Sequence, residues 1–342
     1  MTGMTRRTAI AGMGLAAMSL EARAQKASLP VRVGFVPVIG ASALFVLNGA
    51  GWAKQAGLAL TLTRFDSGPA AIQALASGTL DLLAIGIAPV AVAFSKKLDV
   101  RVVSAAGTGG SAFMASPALA EALAAAGNDR AKAFADLHKK LGEPVKLATL
   151  PPGAVPAVAL KYWLFKTGHV APADVDIVSL GIDAVQQAML SHSVQGGTVL
   201  EPSATVVRAH DPAIKMIATA SEMFPDIPGV VLASTSAFGN AHPKALESIV
   251  RLMIRATHLI KSNPEQAAPY VLAALGAGLV GNATMLRALK SPAVGFITDP
   301  KAIIAPTRAM LSYEVEIGDF PKAPRIGGLF DTDWWNKASA QK

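Results

Sequence analysis

Residues 65–89 read Phe65-Asp66-Ser67-Gly68-Pro69-Ala70-Ala71-Ile72-Gln73-Ala74-Leu75-Ala76-Ser77-Gly78-Thr79-Leu80-Asp81-Leu82-Leu83-Ala84-Ile85-Gly86-Ile87-Ala88-Pro89. Phe65 closes a β-rich run over 58–65, and Ser67-Gly68-Pro69 then supplies a turn and a proline suited to a first helical turn. The helix expected over 69–76 stops at Ser77-Gly78. A short apolar run over 81–85 follows, and Gly86 to Pro89 turns the chain into the next helix, over 89–96. Strand, helix, strand and helix in that rhythm predict parallel strands covered by helices.

The rhythm extends in both directions. Upstream lie a strand over 31–36 and a helix over 42–55; downstream a strand over 100–105 ends in Gly107-Thr108-Gly109-Gly110, read as a crossover into a second lobe. An apolar run over 112–115 follows, and an alanine-rich helical stretch over 118–141 reads as an insertion on the lobe surface. The second lobe repeats the first: strands over 145–149, 175–180 and 197–200 alternate with helices over 155–166 and 183–191, before short runs over 214–218 and 230–233. After Ser234 the pattern is almost wholly helical, with Pro243 and Pro264 opening long helices expected to return to the first lobe.

At the N-terminus, Arg6-Arg7 precedes an apolar run over 9–20 and the small residues Ala22 and Ala24. That is the three-part layout of a signal peptide over 1–24, cleaved after Ala24. Spanning a bilayer takes roughly 20 apolar residues, more than this run supplies. The arginine pair resembles a twin-arginine signal, and the Sec route stays open.

The 342 residues are 52% hydrophobic and carry a net charge of +8, which supplies two cores and argues against disorder. The basic excess is scattered in pairs such as Lys96-Lys97, with no basic and aromatic run, so nucleic acid is not expected as a partner. With no cysteine, disulfides, thiol nucleophiles and a lipid-bearing cysteine are excluded. An exported chain without such an anchor is expected in a periplasm.

The segments Gly12-x-Gly14-x-x-Ala17, Gly107-x-Gly109-x-x-Ala112 and Gly276-x-Gly278-x-x-Gly281 mimic a dinucleotide fingerprint, and none sits between a strand and a helix as that fingerprint requires. The six histidines form no metal-binding pair, and neither a nucleophile elbow nor a phosphate loop is present. No catalytic residue, cofactor or metal is expected.

Residues 65–89 carry a resemblance that other segments extend: the Gly153 loop and the helix after it, residues 179–190, the Leu200-Glu201-Pro202 turn, and His242-Pro243 with Asn263-Pro264-Glu265. In order and spacing over residues 31–275 the chain resembles the nitrate/sulfonate/taurine class of ABC-importer binding proteins, relatives of receptors for thiamine-precursor pyrimidines. The resemblance implies an α/β fold of the type II periplasmic binding protein kind, two doubly wound lobes joined by a two-segment hinge. Lobe I is expected over 30–108 and 235–342, and lobe II over 109–234. It also implies a monomeric receptor, not an enzyme, that closes on a small-molecule ligand and presents it to an ABC permease in the inner membrane.

Ligands of open α/β sheets sit beyond the carboxyl ends of the strands. That rule selects the loops 37–42, 67–69 and 86–89 in the first lobe and 151–155, 181–183 and 198–202 in the second. The candidate ligand-binding residues are Pro37, Val38, Ile39, Ser42, Ser67, Gly68, Ile87, Ala88 and Pro89 on one side. On the other they are Pro152, Gly153, Ala154, Val155, Thr198 and Glu201. Hydroxyls are few, and Val38, Ile39, Ile87, Val155 and Leu200 suggest apolar walls for a small organic ligand, with an acidic end left open. Glu201 either meets a ligand amine or caps the helix that follows Pro202. Small-molecule enzymes and periplasmic sensor subunits are the rival readings.

Overall fold

The computed structural model describes residues 28–127, 129–276 and 280–340. The proposed signal peptide, 1–24, lies outside the described residues. The strands of the first sheet are β1 (Leu29–Phe35), β2 (Leu58–Arg64), β3 (Leu82–Gly86) and β4 (Arg101–Ala105). Those that follow are β5 (Thr108–Gly109), β6 (Ser111–Ala115), β7 (Val145–Thr149), β8 (Val175–Ser179), β9 (Gly196–Leu200), β10 (Lys215–Thr219), β11 (Val230–Ser234) and β12 (Val294–Gly295).

One sheet has the order β2-β1-β3-β11-β4 and the other β10-β6-β9-β7-β8. Read from opposite ends, the two orders are equivalent: three parallel strands, then one strand that has arrived from the other lobe, then an edge. The arriving strand enters from the hinge, where the parallel strands have their carboxyl ends, so it must run against them. β11 accordingly pairs antiparallel with β3 and β4, and β6 antiparallel with β9 and β10. The expected lobe boundary after Ser234 therefore moves: Val230–Ser234 belongs to the first sheet, and the return crossover lies before Val230.

The glycine cluster after β4 does carry the chain into the second sheet. Gly109 has φ +64, and a Cβ there would stand 2.6 Å from the Ala293 carbonyl oxygen. Across the hinge a Cβ on Gly229 would stand 2.8 Å from the Gly107 carbonyl oxygen, so only glycine lets these two crossing backbones touch. β12 adds a third segment by pairing antiparallel with β5.

The motif over 77–81 is a fastening. The Asp81 carboxylate accepts the Arg32 backbone N–H at 2.8 Å and its guanidinium at 3.1 and 2.6 Å. Partial burial raises the Asp81 pKa, but these bonds outweigh it and hold the group below its ordinary value. The fastening ties β1 to the start of β3, whose residues Leu82 to Ile85 are wholly buried, as a central parallel strand requires.

The helical C-terminal half returns to lobe I, where Pro243–Ser262 and Pro264–Leu275 pack on Ser42–Gly49. The tail helix Asp333–Ala340 packs on Pro243–Ser262 and β4, with the Trp335 indole N–H donating to Thr298 Oγ1 at 3.1 Å. The helix Ile304–Glu316 instead touches Ile87–Ser95 of lobe I and Val155–Lys161 of lobe II, so this segment straps the lobes together. The predicted helix over 42–55 breaks at Gly51, φ +72, and the predicted surface stretch over 118–141 forms two helices, Pro117–Ala125 and Arg130–Leu141.

Candidate functional site

Each parallel strand of both sheets delivers its carboxyl end to the space between the lobes, and a helix starts within a few residues. From lobe I, Val36, Val38, Gly68, Gly86 and Pro89 line a cleft there. Lobe II supplies Leu150, Ala154, Val155, Pro156, Ile182 and Leu200, and the hinge closes the floor with Gly109, Gly229 and Val230. The cleft holds about 480 Å³ of empty space, its open mouth included. Among the described lining residues every side chain is hydrocarbon or hydrogen.

The walls stand close. A Cβ on Gly86 would lie 3.6 Å from Val155 Cγ2, ordinary van der Waals contact between lobes. Within lobe I the Gly68 backbone abuts the Pro89 ring so tightly that a Cβ would come to 2.5 Å from Pro89 Cγ. Beside the cleft, Arg64 at the end of β2 reaches Asp183 in the first turn of the helix Ile182–Leu190, Nη2 to Oδ2 2.5 Å. At the hinge the Ile39 N–H donates to the Glu201 carbonyl at 2.9 Å. The structure is thus a closed one.

Of the candidate residues, the structure brings Val38, Gly68, Pro89, Ala154 and Val155 together on the cleft wall. Ile39, Ser42, Ile87, Ala88 and Thr198 are completely buried and Glu201 is 1% exposed, and none of them lines the cleft. Pro37 lines a separate crevice with Arg64, Asp183 and Pro202. Pro152 and Gly153 face an outer groove beside Gln73, Lys96 and Phe320.

Of the hydroxyls expected to meet a ligand, Ser67 and Thr198 are spent on scaffolding, whereas Ser42 Oγ is buried without a hydrogen-bond partner. Ser67 Oγ accepts the Ala70 N–H at 3.4 Å, capping the helix Gly68–Ala76, a role typically worth about 1 kcal/mol. Thr198 and Thr149 share a hydroxyl hydrogen bond at 2.5 Å between the adjacent strands β9 and β7. One oxygen of Glu201 acts as a cap: Oε2 accepts the Thr205 N–H at 3.0 Å at the start of the helix Ser203–His210, after a cis peptide bond to Pro202, while Oε1 is buried without a hydrogen-bond partner. Burial pushes its pKa up, partly countered by bonds from its neighbours and by the Arg208 charge.

The loops chosen from the sequence include Ile182 and Leu200 but not Val36, Gly109, Leu150, Pro156, Gly229 and Val230. Val36 and Leu150 each sit one residue outside the chosen loops, where the side chain still points beyond the sheet edge. Gly229 and Val230 reach the cleft only because β11 belongs to lobe I, which no local pattern announces. No group of three or more His, Asp or Glu able to hold a metal occurs among the described residues.

A family model described as the NMT1-like family matches residues 24–275. A curated candidate binding protein of Brucella abortus (strain 2308) is 26% identical over 268 residues, 77% of this chain and 77% of its own length. Among solved structures, the periplasmic nitrate-binding protein NrtA of Synechocystis PCC 6803 superposes with a TM-score of 0.76 at 15% identity, over 91% of this chain and 88% of that one. The alkanesulfonate-binding protein SsuA of Xanthomonas axonopodis pv. citri, solved bound to MOPS, superposes with a TM-score of 0.67 at 16% identity, over 88% and 97%. These likenesses establish the two-lobed fold of periplasmic binding proteins.

Proposed function

This chain belongs to the NMT1-like family, and we propose that it is an exported receptor that closes its two lobes on a small organic ligand and delivers it to an ABC importer. The observation that carries this reading is the cleft itself, whose walls come from both lobes and meet over a glycine hinge. A ligand lodged there touches both walls only in the closed form and so favours it, the hinge-closure behaviour general to periplasmic binding proteins. The permease reads the closed shape. Transport in place of catalysis suits walls of hydrocarbon, with no acid, base or nucleophile at the ligand. The signal peptide over 1–24 places the mature chain in the periplasm, where the intact mass of the exported protein should begin at Gln25.

The test is thermal unfolding of purified residues 25–342 against nitrate, alkanesulfonates, carboxylates, pyrimidines, amides and small amines, with small-angle scattering on any compound that responds. Saturable stabilisation of about 2.7 kcal/mol at a hundredfold excess over the dissociation constant is the expected result, together with a compact, closed envelope. If no compound shifts the transition, or one is chemically consumed, the receptor reading fails.

A further inference from the structure

Charge has no counterpart in this cleft. Val38, Leu150, Val155, Ile182 and Leu200 make its walls, and burying an ion costs several kcal/mol unless it is paired and hydrogen-bonded. The remaining way to hold an anion is with the unpaired amides of helix N-termini. Four of the helices that follow the strand ends place a cleft-lining residue in or beside their first turn, and in each of the four that turn is already partly committed.

Pro69, Pro89 and Pro156 stand in the first turns of Gly68–Ala76, Ile87–Ser95 and Val155–Lys161, and each removes an N–H that an anion would use. Of the amides beside them, Ala70 N–H donates to Ser67 Oγ at 3.4 Å. Ile87 N–H donates to the Gly229 carbonyl at 3.1 Å and Ala157 N–H to the Ala154 carbonyl at 3.0 Å. The fourth helix, Ile182–Leu190, carries the Asp183 carboxylate in its own first turn, so its N-terminal dipole already faces a fixed negative charge.

We propose that this cleft selects an electrically neutral, largely hydrocarbon ligand, and that it turns away the kinds of anion after which the nitrate-binding and alkanesulfonate-binding structures are named. The inference rests on the receptor reading above. Burial of apolar surface supplies the affinity, and a neutral polar group is served by the few backbone groups that remain.

Matched pairs that share a shape and differ in charge test it: isovaleramide against isovalerate, cyclohexanecarboxamide against cyclohexanecarboxylate, and benzamide against benzoate, with nitrate and ethanesulfonate alongside. Calorimetric titration of the mature chain should show the amide preferred by at least about tenfold in every pair that binds, with no saturable response to nitrate or ethanesulfonate. Preference for a carboxylate in any pair, or saturable binding of nitrate or ethanesulfonate, overturns the inference while the receptor reading stands. Silence from these compounds and from the wider panel overturns both. Leu200→Lys places an ammonium beside the cleft and should reverse the preference; if that variant does not fold, the unmodified chain decides the matter on its own.

Discussion

The helix Val155–Lys161 has two ends with opposite chemistry. Its first residues wall the cleft with hydrocarbon and make no side-chain hydrogen bond to the opposite lobe. Its last residue, Lys161, is held by both oxygens of Asp319 at 2.6 and 2.8 Å, on the strap that follows the helix Ile304–Glu316. Apolar contact is non-directional and renewable, so the cleft end can part and close again. A half-buried ion pair leaves an uncompensated charge when it breaks, so the strap end resists. The same helix thus joins a surface made to separate to one made to hold.

The largest expected effect lies at the strap, in Glu314. Its side chain is completely buried and neither carboxylate oxygen has a hydrogen-bond partner. Burial, with help from Asp319 and against the pull of Lys161, raises its pKa from 4.5 to about 8. The folded chain therefore keeps a proton that the unfolded chain releases, and stability falls as pH rises from about 4.5 to about 8. Glu314→Gln should abolish that loss, gaining on the order of 4 kcal/mol above pH 8 and almost nothing near pH 4. Urea midpoints across that range check it, and a variant whose gain ignores pH would break the contrast between the two ends.

Lys161→Met, which strands Asp319, comes next and should cost about 2–3 kcal/mol in chemical denaturation, while a ligand shift at the cleft survives. Gly68→Ala should cost about 1–3 kcal/mol, because its methyl meets the rigid Pro89 ring. Unlike the strap variant, it should also weaken ligand binding. The smallest change is expected from Arg64→Ala: this pair between the lobes is exposed on both sides, so stability should fall by less than about 1 kcal/mol, and scattering of the ligand-free chain should report a larger open fraction. Unchanged scattering would show that the apolar walls alone hold the lobes shut.

Most of the fold was legible because its signals are local. The strand and helix edges over 58–96 and 145–200 follow from turn glycines, first-turn prolines and apolar runs, and the observed elements agree with them to within about two residues, the usual uncertainty of such edges. The site was less legible. A rule about strand ends finds loops that line the cleft, yet it cannot tell Val155, which faces the cleft, from Thr198, whose hydroxyl turns to Thr149. Hydroxyls and carboxylates read as ligand contacts in a sequence because they can bind; the structure uses Ser67, Thr198 and one oxygen of Glu201 to satisfy its own backbone and strands.

The sequence by itself determined two α/β lobes, the crossover at Gly107 to Gly110, and a cleft poor in side-chain donors, since periodicity and turn chemistry depend on residues near in the chain. Only the tertiary structure decided that Val230–Ser234 joins the first sheet, that Arg64 meets Asp183, and that Glu314 is sealed beside Lys161 and Asp319. Each of those depends on groups far apart in the chain, and their energies exist only once the lobes and the strap have brought them into contact.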